Sequence, residues 1–263
     1  MTKFFTAASV LAATLITTAA AHAADVVAPA AYDWSGFYAG VNAGVGIDAS
    51  SYDYKYLVTP AGGRETQVDK RLSNNFDSSQ AAFTGGGMIG YNYQIDHLVL
   101  GVEADINYIG LNDDYSDTVN SVIGPINATS TTDISYETNW YGTVRGRLGY
   151  ALDNILVYGT GGLAYGNTSV DEKATGCGQI GANPPRCSSL SGGTEGVNVG
   201  WTVGAGAEYG FDRWSLGVEY LYVDLGSVDW KTNPNVAELY TVSPVGDADI
   251  SFSVVRATAK MRF

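Results

Sequence analysis

Eight ionisable residues of this chain occupy alternate positions of strand-like stretches, and their charges balance. Glu103, Asp105, Glu208 and Glu219 are matched by Arg145, Arg147, Arg256 and Lys260. Residues spaced by two share one face of a strand. Counted in from the nearer strand ends, Glu103 and Arg145 each lie about five residues deep, and Glu219 faces Arg256 slightly deeper. Charges at matched depth on an enclosed face either pair or line water. Burying them is costly unless they are paired and hydrogen-bonded, so the spacing points to an interlocked ionic plug. A solvated interior with separated ions is the alternative.

Other chemistry finds little to work with. Once an N-terminal leader is removed the only histidine is His97, in a short turn, so no Ser/His/Asp relay can be assembled. Cys177 and Cys187 share one long connection with no histidine nearby, which argues against zinc. Gly85-Gly86-Gly87 and the Gly204/Gly206 pair sit inside strand patterns, where glycine relieves crowding, and are not phosphate loops. The sequence therefore predicts no catalytic residue, no metal site, no cofactor and no enzymatic activity.

The elements that must position the charges are eight stretches of alternating polarity, over about 34–47, 81–93, 98–109, 135–150, 155–166, 197–211, 214–225 and 250–263. The third puts Leu98, Leu100, Val102, Ala104, Ile106 and Tyr108 on one face, with Glu103, Asp105 and Asn107 on the other. The sixth aligns Val197, Val199, Trp201, Val203, Ala205, Ala207, Tyr209 and Phe211. In the first, Tyr38 and Asn42 share the small or polar face. Connections alternate between very short (94–97, 151–154, 212–213) and long (48–80, 110–134, 167–196, 226–249). Repeated long loops count against a compact soluble domain, but suit the extracellular side of a transmembrane barrel. The fold class predicted is all-β: an eight-stranded antiparallel up-and-down transmembrane β-barrel with four long extracellular loops and short periplasmic turns. Segments such as 52–58 extend strands above the membrane without changing the count.

Composition and ends agree with that fold. Charged residues are 16% and aromatics 12%, against about 25% charged in ordinary soluble domains. A net charge of −13 argues against nucleic acid. Residues 1–23 read as a signal peptide, with Lys3, an apolar stretch shorter than the ~20 residues of a membrane helix, and an Ala21-His22-Ala23 cleavage site. Cleavage is expected between Ala23 and Ala24, leaving 24–33 as a periplasmic linker and 34–263 as the barrel. Trp34, Phe37, Tyr93, Tyr150, Tyr209, Trp214 and Phe263 fall near the short-turn rim. Tyr108, Trp140, Tyr165, Trp201 and Tyr222 fall near the other rim, as two interfacial girdles would. Export through an oxidising periplasm makes a Cys177–Cys187 disulfide the expected state, with free thiols the alternative. The acidic group Asp113, Asp114, Asp117 and Asp133 reads as a solvated loop, with weak cation or lipopolysaccharide bridging the alternative.

The opening run Asp33-Trp34-Ser35-Gly36-Phe37-Tyr38-Ala39-Gly40 and the closing run Ala257-Thr258-Ala259-Lys260-Met261-Arg262-Phe263 resemble the small porin-like surface-antigen barrels of alphaproteobacteria. That group is related in architecture to the OmpA-type and opacity-protein barrels. The resemblance spans the mature chain. It implies a bacterial outer-membrane location and recognition of the last strand by the barrel-assembly machinery, with Phe263 the key residue. It also implies that the periplasmic peptidoglycan-binding domain of longer OmpA-type proteins is absent. Members of this group are envelope-stability proteins and surface antigens, some with porin or haemin-binding activity. The first expectation is a non-enzymatic structural barrel, monomeric or trimeric, contacting outer-membrane lipid, lipopolysaccharide, host molecules or phage. A small-solute porin is the second. A haemin receptor is the third, with Tyr52, Tyr54, Tyr56, Tyr115 and Tyr240 the loop tyrosines available to it.

Overall fold

The computed structural model describes residues 32–60, 66–67, 74–77, 80–123, 126–231, 235–237 and 240–263. The expected signal peptide, the Ala23–Ala24 cleavage point and residues 24–31 of the expected linker lie outside them. Among the described residues twelve strands form one antiparallel sheet: β1 (Gly36–Asp48), β2 (Ser51–Pro60), β3 (Thr66–Gln67), β4 (Asn74–Asp77), β5 (Ala81–Ile95), β6 (Leu98–Ile123), β7 (Ile126–Leu152), β8 (Ile155–Ile180), β9 (Arg186–Phe211), β10 (Trp214–Lys231), β11 (Asn235–Ala237) and β12 (Tyr240–Arg262). Eight of them close a ring in the order β1, β5, β6, β7, β8, β9, β10, β12, because β12 also pairs with β1. Ala39 opposite Met261 and Val45 opposite Val255 define that seam. Closure leaves no unpaired edge at membrane depth, as a lipid environment requires.

Three tight turns join β5 to β6, β7 to β8 and β9 to β10. Each opens on an aspartate in the left-handed region: Asp96 (φ 51°), Asp153 (φ 52°) and Asp212 (φ 52°). Aspartate tolerates this conformation because its short side chain bonds locally. On the other side the strands run further than the hydrophobic pattern suggested. The connections 110–134 and 167–196 continue largely as paired strands, with Asn120 opposite Thr129 and Lys173 opposite Ser191. Their Ser, Thr, Gly and Asn content reads as loop. Yet Leu111, Ile134, Tyr136, Val170 and Ala174 still point inward and are buried, and that period-two pattern, with threonine's preference for strands, carries the ladder upward. At the top of the ring β10 bulges between Asp224 and Gly226, where Gly226 takes φ 77° and its N–H donates to Asp224 Oδ1 at 2.8 Å.

The outward face is apolar over a band of limited height. Val41, Phe83, Ile89, Val102, Ile106, Leu148, Leu163, Val199 and Val218 are all more than half exposed. On β6 the band runs from Leu98 to Tyr108, and outward polar residues begin at Asn112. That span matches the ~9–11 residues a tilted strand needs to cross a bilayer. Phe37, Tyr93, Tyr150, Tyr209, Trp214 and Phe263 crowd its lower edge, with Tyr108 and Trp201 at its upper edge. Trp34 departs from the girdle expected of it. It is 3% exposed and turned into the barrel mouth, because it precedes β1 and the chain bends inward there.

The interior is filled, in three layers. Nearest the short turns Tyr32, Trp34, Val99, Ala151, Leu156 and Tyr158 form an apolar and aromatic cluster. Above them lie the charges. Above those sits a larger apolar cluster that includes Ile109, Leu111, Tyr141, Leu221, Val223, Leu225, Ile250, Phe252 and Val254. Close packing needs small residues at some crossings. A Cβ on Gly44 would lie 2.1 Å from the Val255 carbonyl oxygen, and one on Gly162 2.1 Å from that of Val144.

Candidate functional site

Strand register brings the eight charges together. Glu103 on β6 stands directly opposite Arg145 on β7, and Glu219 on β10 directly opposite Arg256 on β12. Because the inner face has period two, Asp105 and Arg147 follow one step along the same strands, and Lys260 and Glu208 complete the lower part. All eight side chains are buried, at 4% exposure or less.

Arg145 is the hub of the upper half. It binds Glu103, reaches Asp105 Oδ2 at 2.9 Å and Glu219 Oε1 at 3.0 Å, and donates through Nε to Thr143 Oγ1 at 2.9 Å. Arg256 meets the same acids from across the barrel, at 2.9 Å to Asp105 and 2.6 Å to Glu219. In the lower half Lys260 Nζ bridges Glu103 at 2.7 Å and Glu208 at 2.8 Å. Arg147 binds Glu208, approaches Glu103 at 3.5 Å, and lies 3.9 Å above the Tyr158 ring. Guanidinium groups suit this task because their planar fork meets several carboxylates at once.

Uncharged neighbours complete the layer. Tyr38 donates to Glu103 at 2.8 Å and accepts from Arg147 at 2.9 Å. Tyr158 donates to Glu219 at 3.1 Å and Ser215 to Glu208 at 3.1 Å. Asn107 donates to Asp105 at 2.8 Å and accepts from Asn42 at 2.8 Å. The inward placement of Tyr38, Asn42, Asn107 and Tyr158 is legible from strand parity. Their role as partners is not, since it depends on which strands face one another across the lumen. Four acids and four bases make the layer formally neutral, and each charge has several counter-charges within hydrogen-bond range, which is how a buried ion cluster offsets its desolvation. Its chemistry is that of a lock: every carboxylate is occupied.

The remaining candidates lie apart from this layer. Cys177 and Cys187 are joined by a disulfide across facing positions of β8 and β9, with Cα atoms 4.0 Å apart. His97 is exposed in its turn, stacked on Tyr150, with Nδ1 3.1 Å from the Ala151 carbonyl. Of the acidic group, Asp133 accepts from Ser116 at 2.6 Å and Asp114 is exposed. Tyr115 packs against the upper apolar cluster, while the side chains at 52, 54, 56 and 240 lie outside the described ones. Phe263 is 76% exposed and its N–H donates to the Phe37 carbonyl at 2.9 Å.

A closed ring of antiparallel strands, apolar outside and filled with bonded polar groups inside, defines an outer-membrane β-barrel protein. The chain belongs to the outer membrane protein beta-barrel domain family, whose model matches residues 9–263. It is 37% identical over 222 residues to the 31 kDa outer-membrane immunogenic protein of Brucella melitensis, covering 78% of this chain and 81% of that one. It is 31% identical over 159 residues to the 22 kDa outer membrane protein of Rhizobium leguminosarum bv. viciae, covering 59% and 60% respectively. Among solved structures it is similar to the outer membrane protein OprG of Pseudomonas aeruginosa, at 12% identity and a TM-score of 0.43 over 87% of this chain and 97% of that one.

Proposed function

We propose that this protein is a non-conducting, non-enzymatic structural barrel of the outer membrane. In this reading its β-strand body anchors the envelope and its tall outer hairpins meet molecules outside the cell. One observation supports this above the others: the cross-section of the lumen is taken up by a neutral cluster of side chains with no carboxylate left to bind a passing ion. A small-solute porin needs the same charges to line water. Lipopolysaccharide, host surface molecules and phage are the partners proposed for the hairpins, whose outward residues, such as Asn112, Asp114, Ser116, Thr118 and Asn120, are exposed and polar. Phe263 is proposed as the residue read by the barrel-assembly machinery. Liposome swelling tests the closed lumen. Vesicles carrying the refolded protein are expected to take up arabinose no faster than protein-free vesicles, and clearly faster uptake overturns the proposal.

A further inference from the structure

The two boundaries of the ionic layer differ in kind. Toward the extracellular side the layer meets Leu221, Val223, Phe252 and Val254, each wholly buried. Tyr141 and Phe252 pack edge to face there, with ring centroids 5.1 Å apart. Toward the periplasmic turns the layer meets a cavity of about 10 Å³ bounded by Tyr32, Trp34 and Arg262 on one side and by Asn92, Glu208, Ser215 and Lys260 on the other. That is room for about one water molecule.

The cavity is water-sized, and its wall carries polar groups. Trp34 Nε1 and Asn92 Oδ1 are both buried without a hydrogen-bond partner in the protein, and both residues line it. One is a donor and the other an acceptor, the complement that a water molecule offers. Ser215 and Lys260, also in the wall, already bind Glu208 and extend the contact into the ionic layer. On the turn side of the cavity stand Tyr32 and Trp34, with rings 4.6 Å apart, and Arg262 over Tyr32 at 4.7 Å; Val99, Ala151, Leu156 and Tyr158 pack in the same cluster as the two rings.

We propose that this cavity is a water site through which the ionic layer is hydrated from the periplasm alone, and that the apolar cluster above the charges is the seal against the outside. The proposal rests on the closed-lumen reading and sharpens it. Paired charges attract water at their margins, whereas a packed apolar layer offers an ion neither hydration nor a counter-charge. Sealing and locking are therefore done by different residues.

Single-cysteine variants test this with silver ion, a thiol-reactive cation small enough to follow water. The native cysteines are disulfide-bonded and contribute no thiol. Ser215→Cys in the cavity wall and Val223→Cys in the seal are placed separately in liposomes of known orientation, with folding checked by resistance to SDS at room temperature. Silver is presented to one side at a time and the remaining thiol is titrated after unfolding. Ser215→Cys is expected to react from the periplasmic side at least ten-fold faster than Val223→Cys, which stays protected from both sides. Adding Trp34→Ala is expected to speed the Ser215→Cys reaction further. If Ser215→Cys is as protected as Val223→Cys, the water site falls and the closed barrel stands. If Val223→Cys reacts from the extracellular side, the seal falls and the closed-lumen reading falls with it.

Discussion

Glu103 on β6 and Arg145 on β7 stand directly opposite each other, and both side chains are wholly buried. Each also holds partners beyond the other: Lys260, Arg147 and Tyr38 for the acid, Asp105 and Glu219 for the base. The pair therefore knits neighbouring strands to strands across the barrel. A cross-lumen contact constrains the whole ring, which a ladder bond between neighbours does not.

Removing the hub is expected to be expensive. Arg145→Ala leaves three buried carboxylates short of a counter-charge, and breaking such clusters costs about 3–5 kcal/mol. Urea unfolding of the barrel in lipid vesicles reads this as a lowered midpoint. Arg145→Lys is expected to recover only part of the loss, since one ammonium does not reproduce a guanidinium fork.

The Glu219–Arg256 pair is expected to show strong coupling. Each residue replaced singly leaves the other's charge buried, while replacing both by Gln and Met removes the mismatch. A double-mutant cycle should give an interaction energy in the range of about 0.5–3 kcal/mol. Strictly additive effects contradict the mutual pairing at 2.6 Å.

Much of this arrangement is legible in the sequence because a barrel strand has only two faces. Once the alternation of Leu98, Leu100 and Val102 is seen, Glu103 and Asp105 must point inward, and counting from the tight turns sets their depth beside Arg145. Three things escape that reasoning. Leu221, Val223, Phe252 and Val254 face inward by the same parity, but their stacking into one seal depends on which strands face one another across the lumen, which parity does not give. Trp34 has the residue type of a girdle but the position of a cork, because it precedes the first ladder bond. The rise of β6 to β9 above the membrane is masked by a Ser, Thr, Gly and Asn composition common to loops and to solvated strands.

Breaking the disulfide is expected to act locally. Cys177 and Cys187 sit near the tip of the β8–β9 hairpin, far along the strands from the ring, and close a loop with a sequence separation of 10. A cross-link of that size restrains the open hairpin by about 2–3 kcal/mol. Cys177→Ser with Cys187→Ser should leave the unfolding midpoint of the barrel unchanged while speeding proteolysis between 178 and 186. A matching fall in the barrel's own midpoint contradicts this.

Position relative to the membrane sets the cost of a new charge. Val102 is 59% exposed near the middle of the apolar band, and an arginine on the lipid face near the midplane costs about 2–4 kcal/mol. Thr118 is outward on the same strand above the band, so Thr118→Arg should fall within about 0.5 kcal/mol of the parent. Equal effects at the two positions, measured by vesicle unfolding, contradict the placement of the band.

Closure of the lumen is tested by single-channel recording of the refolded protein in planar bilayers. A closed lumen predicts a silent membrane with no steady openings at either polarity. Reproducible, long-lived openings of uniform size in the unmodified protein contradict it.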